Sequence, residues 1–142
     1  MQDNQSHSSF GTIRGLHFQI GKNAQAKLVR VVQGKIWDVV ADINPKSKNY
    51  GQYVAVELDD VSQKQLFIPE GYAHGFSVLS ETAIVEYKCS QLYDKESERG
   101  VIYNDPNLNI DWKIPQSQQI VSEKDLKLPL LDTIQAEELA KE

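Results

Sequence analysis

Short runs of alternating apolar and polar residues, broken by Gly, Pro, Asn and Asp, cover most of this chain. A period of two marks a half-buried β-strand, because successive side chains point to opposite faces. On this basis strands are predicted over 12–19, 28–33, 35–43, 52–58, 65–68, 76–79 and 82–89. In the run 35–43, Trp37, Val39, Ala41 and Ile43 share one face, while Asp38 and Asp42 lie on the other. The runs 28–33 and 35–43 are predicted to form a hairpin about Gly34, and 76–79 and 82–89 to be linked around Ser80-Glu81. Asn44-Pro45-Lys46-Ser47 reads as a turn, and Pro69 stops the strand before it.

Beyond Asp94 the pattern changes. Asp105-Pro106-Asn107 is a turn, and Ile110-Asp111-Trp112 offers an apolar edge to pack back on the core. Ser122-Glu123-Lys124-Asp125 has the composition of a short helix start with Ser122 as its N-cap. The tail 133–142 is helical in composition but has few apolar residues, which predicts a surface or frayed helix. Some seven short strands with turn punctuation give an all-β fold, either a β-sandwich or a double-sheet jelly roll. Periodicity alone does not separate the jelly roll from an immunoglobulin-like sandwich.

Length and charge narrow the function. The 142 residues suit a single domain over 1–142. Fifteen Lys plus Arg against 20 Asp plus Glu give a net charge of −5, which argues against nucleic acid as the main partner. No apolar run approaches the roughly 20 residues of a membrane helix, and the polar start Met-Gln-Asp-Asn-Gln-Ser-His lacks a signal-peptide pattern. A soluble cytoplasmic protein is therefore expected. The lone Cys89 excludes an internal disulfide and a cysteine-rich zinc site.

Three histidines carry the candidate chemistry. His17 lies in Arg14-Gly15-Leu16-His17-Phe18-Gln19, where strict alternation would put Arg14 and His17 on opposite faces. A bulge at Gly15 would bring them together, and glycine within a strand often marks one. His74 lies in Ile68-Pro69-Glu70-Gly71-Tyr72-Ala73-His74-Gly75-Phe76, which fits either a tight turn with a buried, hydrogen-bonded histidine or a site residue. His7, in a polar stretch, reads as a solvated side chain. No His-x-His pair is present, so no metal site is expected. Phosphate-loop, dinucleotide and nucleophile-elbow motifs are missing as well. Tyr87 shares a strand face with Val85 and Cys89, as a core tyrosine would. Tyr93 at the strand's end suits packing and ring stacking equally, and Lys27 opens a strand as a solubilising lysine commonly does.

Taken together, the chain resembles the dTDP-4-dehydrorhamnose 3,5-epimerase family. The resemblance rests on Gln2-Asp3-Asn4, the Arg14–Gln19 stretch, Ala24-Gln25-Ala26-Lys27-Leu28-Val29-Arg30 and the Phe67–Phe76 stretch. Glu86-Tyr87-Lys88-Cys89, Asn104-Asp105-Pro106, Ile110-Asp111-Trp112 and Ser122-Glu123-Lys124-Asp125 continue it in family order along the chain. The resemblance implies a cupin-type jelly roll (a double-stranded β-helix) with short C-terminal helices, working as a homodimer without metal or cofactor. The implied reaction is epimerisation at C3 and C5 of a dTDP-linked 4-keto-6-deoxyhexose, in dTDP-rhamnose biosynthesis. By the same resemblance His17 is the base, Asp125 orients it, Tyr87 is the acid and Lys27 faces the enolate oxygen. His74 lies near the sugar, Arg14 and Lys124 meet the diphosphate, and Tyr93 stacks on thymine. Gln2, Asp3, Asn4 and Glu98 supply further nucleotide-sugar contacts. A 3-epimerase and a non-catalytic nucleotide-sugar-binding cupin are the competing readings. Family members also carry an N-terminal strand region ahead of the Gln-Asp-Asn segment. Its absence here predicts a weakened dimer, lower nucleotide affinity and an exposed sheet edge.

Overall fold

The computed structural model describes residues 1–134 and 136–139. Ten strands dominate it: β1 (Gln2–Ser9), β2 (Thr12–Gln19), β3 (Lys27–Gln33), β4 (Lys35–Asp42), β5 (Tyr53–Asp59), β6 (Gln65–Ile68), β7 (Tyr72–Val78), β8 (Thr82–Cys89), β9 (Glu98–Gly100) and β10 (Ile120–Val121). Two one-turn helices follow, α1 (Glu123–Leu126) and α2 (Ala136–Leu139). Ser122 caps α1, its side chain accepting from the Asp125 N–H, as the sequence suggests. Only part of the predicted helical tail is described, and its remainder lies outside the described residues.

One sheet runs β1-β8-β3-β6 and the other β10-β2-β7-β4-β5, with β9 alongside β2. Among consecutive strands from β1 to β9, only β4 and β5 pair as a hairpin within one sheet. Every other connection up to β9 crosses between sheets, which is the jelly-roll arrangement and not the immunoglobulin-like alternative.

The hairpin expected about Gly34 does not form. β3 pairs with β6 and β8, whereas β4 pairs with β5 and β7. Gly34 is the corner between the sheets, at φ +92°, where a Cβ would meet the Thr82 carbonyl oxygen at 2.3 Å. Strand periodicity reads the same for a hairpin as for a crossing, so the sequence pattern could not tell them apart. The strand predicted at 76–79 also begins earlier, at Tyr72, which puts His74 inside β7 instead of in a turn. β1 was not anticipated. It alternates half-buried and exposed positions but has no apolar residue to mark its inner face.

Two layers of core result. Between the sheets lie Val29 and Val31 of β3, Ile36 and Val40 of β4, Phe76 and Val78 of β7, and Ala83 and Val85 of β8. A second layer covers the outer side of the β2-β7-β4 sheet, where Ile13, Leu16, Val39 and Ala41 meet Val101, Leu108, Trp112 and Leu131. The expected return of the Ile110-Asp111-Trp112 segment onto the core is thus observed: the Trp112 indole N–H donates to the Tyr103 carbonyl at 2.8 Å. Burial of each such large side chain contributes roughly 1.5–3 kcal/mol. With both faces of β4 covered, Asp38 points into the interior and is completely buried.

The inward faces of the strands change character together. Along β8 they read Ala83, Val85, Tyr87, Cys89; along β3, Val31, Val29, Lys27; along β7, Val78, Phe76, His74. Apolar side chains fill one end of the interior and polar ones line the other, and a cleft opens there.

Candidate active site

The cleft encloses about 420 Å³ between the two sheets. β1, β3 and β8 line one wall with Gln2, Asn4, Lys27, Tyr87 and Cys89. β2, β7 and β9 line the other with Arg14, His17, Gln19, His74 and Glu98, while the exposed Tyr93 and Lys124 stand at the rim.

Two facing glycines shape the second wall. The β2–β7 register shifts between Arg14 and His17, as expected for a bulge at Gly15. Gly15 sits at φ +118°, and a Cβ there would lie 2.7 Å from the Gly75 Cα and the His74 carbonyl oxygen. A Cβ on Gly75 would lie 2.6 Å from the Arg14 carbonyl oxygen. The irregularity brings Arg14 and His17 to the same cleft and leaves His17 directly opposite His74 across the ladder.

Each histidine has a carboxylate partner. His17 Nε2 lies 3.0 Å from Asp125 Oδ1, and the Gly15 N–H donates to Asp125 Oδ2 at 3.0 Å. Burial works against the Asp125 charge, but the hydrogen bonds from His17 and Gly15 outweigh it and hold the carboxyl below its ordinary range. An ionised carboxylate only accepts, so Nε2 carries a proton, and in the neutral form of the ring the lone pair sits on Nδ1. That nitrogen is buried and has no hydrogen-bond partner among the described residues. In the second pair His74 Nε2 lies 2.6 Å from Asp38 Oδ1, while Asp38 Oδ2 is buried without a hydrogen-bond partner among the described residues.

On the opposite wall burial pushes the Tyr87 hydroxyl up, helped by Cys89 and opposed by Arg14. Burial also lowers the Lys27 ammonium, against the pull of Cys89, Asp38 and Glu98. Lys27 Nζ stands 6.0 Å from the centre of the Tyr87 ring. Lysine and tyrosine therefore face the two histidines across the cleft. At the rim Lys124 Nζ lies 2.6 Å from Glu98 Oε1, and the Tyr93 hydroxyl hydrogen-bonds Glu98. Burial disfavours the Glu98 charge, yet those two partners keep its carboxyl below the usual value.

Of the residues singled out from sequence, Gln2, Asn4, Arg14, His17, Lys27, His74, Tyr87, Tyr93, Glu98 and Lys124 line the cleft, and Asp125 lies behind His17. Asp3 does not join them. Strand alternation turns it to the opposite face of β1, where it pairs with Lys88 at 2.9 Å. His7 is exposed on β1. Sequence reasoning passed over Asp38 and Gln19. The signal for Asp38 was present, because it shares a strand face with Ile36 and Val40, and an acid between two apolar neighbours on one face is a buried acid. Among the described residues no three His, Cys, Asp or Glu side chains converge as a metal site, and no helix is long and apolar enough to cross a membrane.

Comparison with known proteins adds a family. The family model described as dTDP-4-dehydrorhamnose 3,5-epimerase matches residues 1–133. The enzyme of that name from Methanothermobacter thermautotrophicus is 48% identical over 126 residues, which cover 88% of this chain and 68% of the relative. The crystal structure of the Elizabethkingia anophelis enzyme is 50% identical, with a TM-score of 0.91, over 93% of this chain and 72% of that one. A dTDP-6-deoxy-D-glucose-3,5-epimerase of Legionella pneumophila, solved with dTDP-4-keto-L-rhamnose, is 44% identical with a TM-score of 0.94, over 100% of this chain and 74% of that one.

Proposed function

The chain belongs to the dTDP-4-dehydrorhamnose 3,5-epimerase family of isomerases, and we propose that its cleft inverts C3 and C5 of dTDP-4-dehydro-6-deoxy-D-glucose through the residues described above. The product is dTDP-4-dehydro-L-rhamnose. The observation that carries the division of labour is the placement of His17 and Tyr87 on opposite sheets facing one cleft.

Both carbons flank the C4 ketone, so loss of a proton from either gives an enolate. The imidazole of His17 takes that proton and the electron pair moves onto the carbonyl oxygen. Asp125 holds the ring in this tautomer and favours the imidazolium that forms. Lys27 donates to the developing oxyanion, and a donor at that point acts where the charge appears. Tyr87 then delivers its hydroxyl proton to the other face of the carbon, and the centre inverts. The phenolate and imidazolium are reset by proton exchange with solvent, so each inversion carries a solvent hydrogen into the sugar.

The rest of the cleft suits the nucleotide. Arg14 and Lys124 meet the diphosphate, for which a guanidinium fork is well shaped. His74, held by Asp38, borders the sugar. Tyr93 stacks on the thymine, and Gln2, Asn4 and Glu98 complete the contacts. These cations gather beside the ligand's charge although the chain as a whole carries −5. A cytoplasmic homodimer is part of the same proposal, and the mass of the assembly in solution tests the dimer.

Incubation with the keto-sugar nucleotide in deuterated water tests the function, with label expected at both C3 and C5. Label at C3 alone would make the protein a 3-epimerase, and binding without label would make it a non-catalytic module.

A further inference from the structure

Gln19 has no role in the chemistry above, yet it is a buried polar side chain in the wall of the cleft, 6% exposed. It stands two residues after His17 at the end of β2, on the same strand face. Its amide is committed to main chain on both sides. Nε2 donates to the Asn23 carbonyl at 2.7 Å and to the Leu92 carbonyl at 3.2 Å, and Oε1 accepts from the Asp94 N–H at 2.9 Å. Both amide hydrogens are thereby used, which leaves Gln19 no donor for a ligand.

Leu92 and Asp94 flank Tyr93. The Tyr93 N–H is itself held, donating to Gln2 Oε1 at 2.7 Å. The main chain of three consecutive residues is thus gripped by two glutamines, one from each sheet. The segment lies between β8 and β9 with no strand partner of its own, and its Leu92 and Tyr93 side chains are largely exposed. Together with the hydrogen bond between its hydroxyl and Glu98, the grip sets where the Tyr93 ring stands. Asp94 is fastened from a second direction, accepting from the Asn23 side chain at 2.9 Å and from Ser97.

We propose that Gln19 is a positioning residue for nucleotide recognition, fixing the Tyr93 ring at the height where a planar base lies against it. The inference rests on the reading of Tyr93 as the stacking ring. Base–aromatic stacking is strong enough, about 5- to 150-fold in affinity, for misplacing the ring to be measurable. Because Gln19 acts through the ring, its loss should weaken a ligand that carries a base and spare one that carries only the diphosphate.

The test is calorimetric binding of dTDP and of inorganic pyrophosphate to wild type, Gln19→Met, Tyr93→Ala and the double variant, with turnover measured alongside. Gln19→Met should weaken dTDP about tenfold, leave pyrophosphate within twofold, and raise KM with kcat little changed. In the Tyr93→Ala background the same substitution should add less than twofold, because no ring remains to be placed. Gln19→Asn, which keeps the polarity but shortens the reach, serves as the milder variant if Gln19→Met does not fold, with a smaller loss in the same direction. Equal weakening of dTDP and pyrophosphate, a full additional loss in the Tyr93→Ala background, or no loss at all would overturn the role of Gln19. If Tyr93→Ala binds dTDP as wild type does, the stacking reading itself fails, whatever Gln19 does.

Discussion

Two histidine–carboxylate pairs stand side by side in this molecule and are built differently. His74 and Asp38 come from neighbouring strands β7 and β4 of one sheet, so their meeting is settled wherever that sheet forms. His17 and Asp125 are brought together across the fold, by a strand near the start of the chain and a single helical turn near its end. The first pair is sealed, with side chains 6% and 0% exposed; in the second His17 is 30% exposed. Asp125 has both oxygens hydrogen-bonded, whereas one oxygen of Asp38 has no hydrogen-bond partner among the described residues. The difference separates two tasks. A partly exposed imidazole beside a satisfied carboxylate suits the proposed role of taking and releasing a proton each turnover, while a sealed pair suits holding the shape of the cleft wall.

Exchanging the two histidines one at a time breaks the comparison most sharply. His17→Asn should lower turnover on the order of 10³–10⁴-fold with dTDP affinity nearly intact. His74→Asn should cost far less turnover but should lower Tm, because it leaves Asp38 buried and unpaired. Steady-state kinetics and thermal melts of both variants decide it, and a reversed order would mean that the sealed pair holds the base. From the opposite wall, Tyr87→Phe should cost on the order of 10²-fold in net epimerisation while hydrogen exchange survives better, since proton removal precedes the lost step. Equal loss of binding in that variant would assign Tyr87 to packing instead.

Stability separates the pairs next. Asp38→Ala should destabilise by roughly 1–3 kcal/mol, seen as a shifted denaturant midpoint, by stranding His74 in the interior. The Asp125 pair should show itself through pH. Its carboxyl lies lower in the folded than in the unfolded chain, so it contributes stability above about pH 4 that is lost as pH falls through the folded value. Asp125→Asn should therefore flatten the acid side of the Tm–pH profile, and an unchanged acid limb would contradict the assignment. The smallest effect is expected at Asp3, where replacement by Ala should leave KM within twofold, as its side chain faces Lys88 and not the cleft.

Much of this was legible in the sequence, but unevenly. β2 and β8 have the predicted limits because their periodicity is long and bounded by turn residues. Gly15 announced its irregularity, since glycine inside a strand has few other uses. The crossing at Gly34 was not legible, because which sheet a strand joins depends on partners far along the chain. β1 escaped because Gln, Asn and Ser alternate without apolar contrast. Among the residues carried by the family resemblance, all but Asp3 line the cleft or stand behind His17, and Asp3 came from a contiguous motif of which only alternate members face inward. Gln19 has no sequence signal, because its partners are main-chain atoms of two loops.

In the proposed reaction one wall of the cleft removes the proton and the other returns it. Site-resolved deuterium incorporation in heavy water, comparing wild type with His17→Asn at saturating keto-sugar nucleotide, tests this most directly. Label is expected at C3 and C5 in the wild type and at neither carbon in a variant that still binds dTDP. Label entering either carbon in that variant at an undiminished rate would contradict it.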